Sequence, residues 1–222
     1  GSLIATLASC SGDPKPEVNS VQQDTIIQEE SMGFGFSDLA QTTYAVPSPN
    51  ELFSIIKSSK LPFKENLVST EPVNYTSSMT QALNFGRTTA DIAYTASYEK
   101  FQESMQNFDN LRNIGNDLGI SYVFDEFMVN RVKSNMDNPD SLEIISTGSY
   151  QSIISMLEEN EKGSTLAIIS AGGFVESIYI LCNLIEGNES DDIIQRLADQ
   201  KLVMENVIAY LDMHSEEERV QQ

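Results

Sequence analysis

Tryptophan is absent from the 222 residues, histidine occurs once and cysteine twice. These scarcities remove several chemistries. Zinc sites draw heavily on Cys and His ligands held at close spacing; no such pairs exist, so no metal is expected. A Ser-His-Asp relay needs a histidine beside its serine. The one histidine, His214, stands beside Ser215 and the acids Glu216 to Glu218, where a solvated tail residue is expected. A ferritin-like di-metal site needs Glu-x-x-His motifs on facing helices, which a single histidine cannot supply. Cys10 is followed by a polar stretch and Cys182 lies in an apolar run. No disulfide between them is expected, so the fold must rest on a core.

Lysine and arginine are scarce too: 13 against 33 Asp and Glu, for a formal net charge of −20. Such a chain repels phosphate backbones, which sets nucleic acid aside as a partner. So many acids leave a carboxylate pair for glycoside hydrolysis open, but no aromatic-rich sugar groove is visible. Gly33-Phe34-Gly35 lacks the Gly-Lys-Ser of a phosphate loop. Asp137-Asn138-Pro139-Asp140 lacks the rest of a calcium loop and fits a helix cap better. No cofactor is implied.

What the chain does have is helical periodicity. Its length suits one domain of ample size or two small ones. Residues 10–36, with Gly12, Pro14, Pro16, Gly33 and Gly35 among polar residues, suggest a flexible tether, with Phe34 and Phe36 as points that dock it on the body. Residues 37–215 are expected to form a single helical domain, and 216–222 an acidic tail. Ser48-Pro49-Asn50-Glu51 is a capping box with proline at the first helical position. It starts a helix to about Lys57 that buries Leu52, Phe53, Ile55 and Ile56. Further helices are expected over Ser77 to about Ser97, Tyr98 to Leu118, Ile120 to about Met136, Asn138 to about Glu159, Gly163 to Gly187 and Ser190 to about Met213. The third carries Phe101, Met105, Phe108, Leu111 and Ile114 at spacings of three and four. The seventh places Ile193, Leu197, Met204, Ile208 and Leu211 on one face. No strand is expected. The fold class is all-α: about seven helices in an antiparallel bundle or a short solenoid of helical hairpins.

Ser54-Ile55-Ile56 recurs as Ser152-Ile153-Ile154. Asp91-Ile92-Ala93-Tyr94 has a counterpart in Glu176-Ser177-Ile178-Tyr179, each acid standing five residues after a small residue, Gly86 or Ala171. Internal duplication of a helical unit gives such a pattern; so does coincidence in a chain rich in Ile and Ser.

Leu166 to Ile185 reads LAIISAGGFVESIYILCNLI. Its length would span a bilayer, but Glu176 near the centre costs on the order of 3 kcal/mol in hydrocarbon. A buried central helix of a bundle is expected instead. Gly172-Gly173 in mid-helix costs about 1 kcal/mol per glycine relative to alanine. Either another helix packs closely there, or the pair floors a ligand pocket. In the second helix, Arg87 and Asp91 stand four apart and can pair. If the two helices pack together, Arg87 reaches Glu176, and a buried charge needs such a partner. Arg87, Asp91, Tyr94, Gly172, Gly173, Glu176 and Tyr179 are therefore the candidate pocket. The alternative is a buried network that fixes helix register. No catalytic residue is assigned.

The N-terminus speaks to location. Leu3 to Ala8 is too short to span a bilayer and looks like the tail of a secretory leader. No Met or basic region precedes it, so residues 1–9 are expected to be a leader remnant. Leu7-Ala8-Ser9-Cys10 resembles the lipobox of bacterial lipoproteins, which implies a diacylglyceryl group on the Cys10 thiol and cleavage just before it. The alternative is an apolar segment that happens to contain a cysteine. Lipid chains would hold the protein on a membrane surface. Ser11, rather than Asp, after the cysteine resembles the sorting pattern for the outer membrane.

From Tyr44 to about Ile185 the chain resembles a family of envelope lipoproteins of Bacteroidota. The resemblance rests on Tyr44-Ala45-Val46-Pro47-Ser48-Pro49, Ala82-Leu83-Asn84-Phe85-Gly86, Asp91-Ile92-Ala93-Tyr94, Leu118-Gly119-Ile120, Asn138-Pro139-Asp140-Ser141-Leu142 and Ala171-Gly172-Gly173-Phe174-Val175-Glu176. It implies an envelope location and an all-helical body, and assigns no activity or functional residue. The expected function is a membrane-anchored, non-catalytic binding module for a protein partner or small ligand, facing the periplasm or the cell surface. An enzyme using carboxylates and tyrosines in a helical pocket, and a purely structural scaffold, are the alternatives.

Overall fold

The computed structural model describes residues 55–124, 126–135 and 138–215. The expected leader remnant, Cys10, the expected tether, the capping box expected at Ser48, Leu52, Phe53 and the expected acidic tail lie outside the described residues. Within them the chain is all-helical, with seven α-helices and no strand. We number these α1 (55–59), α2 (Ser78–Ser97), α3 (Phe101–Asp117), α4 (Glu126–Ser134), α5 (Pro139–Glu159), α6 (Gly163–Ile185) and α7 (Asp191–Met213). Short 3-10 turns occupy Glu65–Leu67 and Ser121–Val123.

Three of the expected starts carry a side-chain cap, which satisfies an amide the first helical turn leaves unpaired. Ser77 accepts from the Thr80 amide at 3.1 Å, Asn138 from Ser141 at 3.1 Å and Ser190 from Ile193 at 3.4 Å. Pro139 follows Asn138 in the first turn of α5, where its missing N–H costs nothing.

Two boundaries differ from expectation for one reason. α2, α3 and α5 each end in a residue with positive φ, at Glu99 (58°), Gly119 (71°) and Glu161 (57°). In each case the next two amides bond back onto the helix, as in Lys100 N–H to the Thr95 carbonyl at 2.9 Å and Glu99 N–H to that of Ala96 at 3.0 Å. This is the Schellman ending. It delays α3 to Phe101 rather than Tyr98. After Gly119 the chain buries Ile120 and Val123 against Phe85 and Ile114, so α4 starts at Glu126 and not at Ile120. Glu99 and Glu161 are exposed in a conformation that favours glycine. Glu99→Gly and Glu161→Gly are each expected to add about 0.5–1 kcal/mol of stability, read as a higher urea midpoint with an unchanged slope.

Neighbours joined by short links run antiparallel. Ser104 meets Thr95 beside the α2–α3 turn, while Gly115 meets Phe85 farther along. Gly163 at the head of α6 meets His214 at the foot of α7. The most extensive contact joins α2 to α6, and these two run in the same direction. Leu83 and Gly86 lie against Ile169, Gly172 and Gly173, whereas Ala93 and Tyr94 cluster with Ile180 and Leu184. Two hairpins, α2–α3 and α6–α7, thus meet through their first helices. One core cluster gathers Ala82, Phe85, Leu111, Leu157 and Leu166; the other gathers Ile55, Ile56, Tyr94, Ile180 and Ile193.

Three expectations about exposure are corrected. α7 buries Ile193, Gln200, Val207 and Tyr210, while Met204 and Ile208 are nearly half exposed. Ile208 follows Val207 and so stands about 100° round the helix from the buried row. α6 is not buried all round. Ser164 to Ser170 and Ile180, Leu181, Leu184 and Ile185 are buried, but Val175 is 66% exposed, Tyr179 47%, and Cys182 is a free, exposed thiol. His214 is not a solvated tail residue: it is the C-cap of α7, half-buried, with its ring edge-on to Tyr210 at 5.2 Å.

Candidate functional site

Small residues set the site's geometry. A Cβ added at Gly172 would lie under 3 Å from the Leu83 carbonyl, and one at Gly86 under 3 Å from the Ile169 carbonyl and the Gly173 amide. At Gly173 it would stand 3.3 Å from the Gly86 carbonyl. The backbones of α2 and α6 are in contact, and the room beside Gly172-Gly173 is filled by α2. The geometry favours close packing over a pocket floor.

A seam this tight makes demands on its polar groups. Farther along the same two helices stand Asp91 and Glu176. The Arg87 Nη1 donates to Asp91 Oδ2 at 2.9 Å and its Nε to Asn84 Oδ1 at 3.2 Å. The Asp91 side chain is 0% exposed and that of Arg87 29%; Glu176 is half-buried. Asp91 Oδ1 and, on the neighbouring α3, the Asn107 Nδ2 are both buried without a partner among the described residues, and Glu176 of α6 lies near enough to Asp91 for the two carboxyl groups to influence one another. A direct bond between the two carboxyl groups requires a proton on one of them.

Burial, opposed by Arg87 and reinforced by the charge and hydrogen bond of Glu176, pushes the Asp91 carboxyl up to about 8. Burial also raises Glu176, against the pull of Arg87 and of the bond to Asp91. Two carboxyl groups thus stand beside a single guanidinium, and burial first, then the facing charge of Glu176, favours a proton on Asp91.

The two tyrosines of the candidate set part company. Tyr94 is fully buried. Its hydroxyl accepts from the Lys64 amide at 2.8 Å and donates to the Lys64 carbonyl at 3.2 Å. Its ring stacks on Phe63 at 5.1 Å and meets Tyr98 edge-on at 5.1 Å. Tyr98 donates to the Leu61 carbonyl at 2.7 Å, Lys64 Nζ donates to the Asn183 carbonyl, and Lys100 Nζ lies 5.0 Å over the Phe63 ring. These contacts pin a strap, residues 61–64, onto α2 and α6. Burial raises both phenols, Tyr98 to about 12 with help from Tyr94, so both stay neutral. Tyr179 stays half exposed on α6.

Of the seven candidates, Arg87, Asp91 and Glu176 come together. Gly172 and Gly173 make that approach possible. Tyr94 is committed to the strap. Sequence reasoning missed Phe63, Lys64 and Tyr98; the one available signal was Tyr94 and Tyr98 at i and i+4, a spacing that puts both on one helix face. It also missed a polar relay between α2 and α3, in which Thr95 Oγ1 donates to the Asp91 carbonyl at 2.8 Å and accepts from Ser104 Oγ at 2.8 Å. Among the described residues no His, Cys, Asp and Glu cluster is placed to hold a metal ion. No family model, curated protein or solved structure matches this chain.

Proposed function

We propose that this chain is a lipid-anchored protein of the bacterial cell envelope, held at the outer membrane through Cys10, whose helical body is a non-catalytic binding module for a protein partner. The anchor is supported by Leu7-Ala8-Ser9-Cys10 and the polar stretch behind it. Fatty-acid labelling in cells is expected for the wild type and lost in Cys10→Ala; label that persists in the variant rules the anchor out.

One observation carries the binding reading. α6 gives most of its length to the core but keeps Val175, Tyr179 and Cys182, spaced four and three apart, on an open face. An apolar row on a chain of net charge −20 fits a partner with an apolar centre and a basic rim. Glu186 stands exposed one turn beyond Cys182 and supplies acid at that rim. A photo-crosslinking residue at Tyr179 in the anchored full chain is expected to give one discrete adduct that weakens as salt screens the rim. The same residue at Leu202, an apolar site on α7 that is more exposed than Tyr179, is expected to give none. Equal adducts at both positions, or none at Tyr179, overturn the reading.

An enzyme using carboxylates is the second reading, and the convergence of Asp91 and Glu176 is the observation on its side. Against it, Asp91 has no exposed surface, and the Tyr94 hydroxyl is taken up by Lys64.

A further inference from the structure

The seam between α2 and α6 contains a charge arrangement that neither packing nor partner binding requires. On α2, Asp91 presents one oxygen to Arg87 and the other to no donor. On α6, Glu176 faces it. From α3, the buried residues Ser104, Asn107, Phe108 and Leu111 carry no charge, and the Asn107 Nδ2 is itself a buried donor without a partner among the described residues. From the strap, Lys64 reaches the Asn183 carbonyl with its ammonium, and Lys100, just beyond α2, sits over Phe63. Tyr94 and Tyr98 stay neutral. One guanidinium therefore faces two carboxyl groups at the seam among the described residues. Backbone contact at Gly86 and Gly172 holds the two helices close together on the same seam.

The geometry points to a proton-operated lock: Asp91 and Glu176 share one proton across the α2–α6 seam, which tightens in mild acid and loosens as that proton is lost. With the proton in place the pair bears one negative charge, matched by Arg87, and the Asp91 carboxyl can donate to Glu176. Without it, two negative charges face one positive charge at a seam where Asp91 is cut off from water and Glu176 and Arg87 are only partly exposed. The sign follows from linkage. An unfolded aspartate loses its proton near pH 4, whereas the folded pair holds one up to about pH 8. Between these limits the folded state binds a proton the unfolded state does not. Stability therefore falls as pH rises through this window and levels off above it.

The test is urea unfolding of the full chain from pH 5 to 9, wild type against Asp91→Asn. The amide cannot ionise, still accepts from Arg87 and still donates to Glu176. The wild-type unfolding constant is expected to rise by up to about tenfold per pH unit from this pair between pH 5 and 8. Asp91→Asn is expected to lose that component and to be the more stable protein at pH 8.5. Equal pH slopes in the two proteins overturn the lock, since repulsion spread over the acidic surface would remain in both. Should Asp91→Asn not fold, infrared spectra of the wild type decide: a protonated-carboxyl band is expected at pH 6.5 that is gone at pH 9 and missing from Glu176→Gln at both. Absence of that band from the wild type at pH 6.5 overturns the proposal.

Discussion

Gly172→Ala is expected to cost about 3 kcal/mol or more, a large share of the 5–15 kcal/mol that holds a domain together. In a free helix the same change gains about 1 kcal/mol, because alanine loses less backbone entropy than glycine on folding. The sign reverses here because the new methyl group would meet the Leu83 carbonyl, part of the α2 backbone and not the movable end of a side chain. Relief requires α2 and α6 to part by roughly 1 Å, and a close-packed interface forfeits a quarter to a half of its dispersion contacts at gaps of that size. Gly86→Ala meets the Ile169 carbonyl from the other side of the seam and is expected to behave alike. Gly148→Ala on α5 is the control. It sits exposed with nothing within 4 Å of the added Cβ, so it should stabilise by up to about 1 kcal/mol. Urea unfolding of the three variants at one pH measures the contrast. If Gly172→Ala and Gly148→Ala shift the midpoint in the same direction, the backbone contact at the seam is wrong.

Tyr94→Ala is expected to cost about 3–5 kcal/mol, in the range for emptying a fully buried aromatic site. The ring's place is surrounded by Phe63, Tyr98 and the cluster of Ile180 and Leu184, none of which can collapse fully into the space. Tyr94→Phe separates the two parts of the effect. It keeps the stack but strips both hydrogen bonds from the Lys64 backbone. Leaving a buried donor and acceptor unpaired should cost about 1–3 kcal/mol. The distinguishing readout is hydrogen exchange. In Tyr94→Phe the Lys64 amide should exchange far faster while the amides of α2 stay protected. Unchanged exchange at Lys64 would mean that the hydroxyl does not pin the strap.

Local chemistry was legible in the sequence where it acts over a few residues. Ser77, Asn138 and Ser190 stand at helix starts because a short polar side chain reaches an amide three residues on. The Arg87–Asp91 pair follows from the pitch of one helix, and the facing Glu176 follows once α6 is placed against α2. Other features had no local signature. Glu99 and Glu161 end their helices in the left-handed region, but glutamate is a good helix former and signals no stop. Nothing in the pattern says that α2 and α6 run in the same direction, since that depends on how two hairpins meet. α6 is apolar on every side, so no polar row marks the face that Val175 and Tyr179 leave open. The strap has no period at all; only the rings it covers betray it.

The parallel pairing of α2 with α6 also bears on how the chain folds. Each hairpin closes through contacts between near neighbours in the chain, whereas the seam joins residues separated by three intervening helices. Contacts of such long range form late, after loop entropy has been lost. While the chain is being made, α2 exists before α6, and Asp91 then faces water as an ordinary ionised aspartate. With the lock proposed above, closing the seam draws a proton from solvent, so that step of folding doubles as an acid–base reaction whose equilibrium depends on the pH of the compartment in which the chain matures.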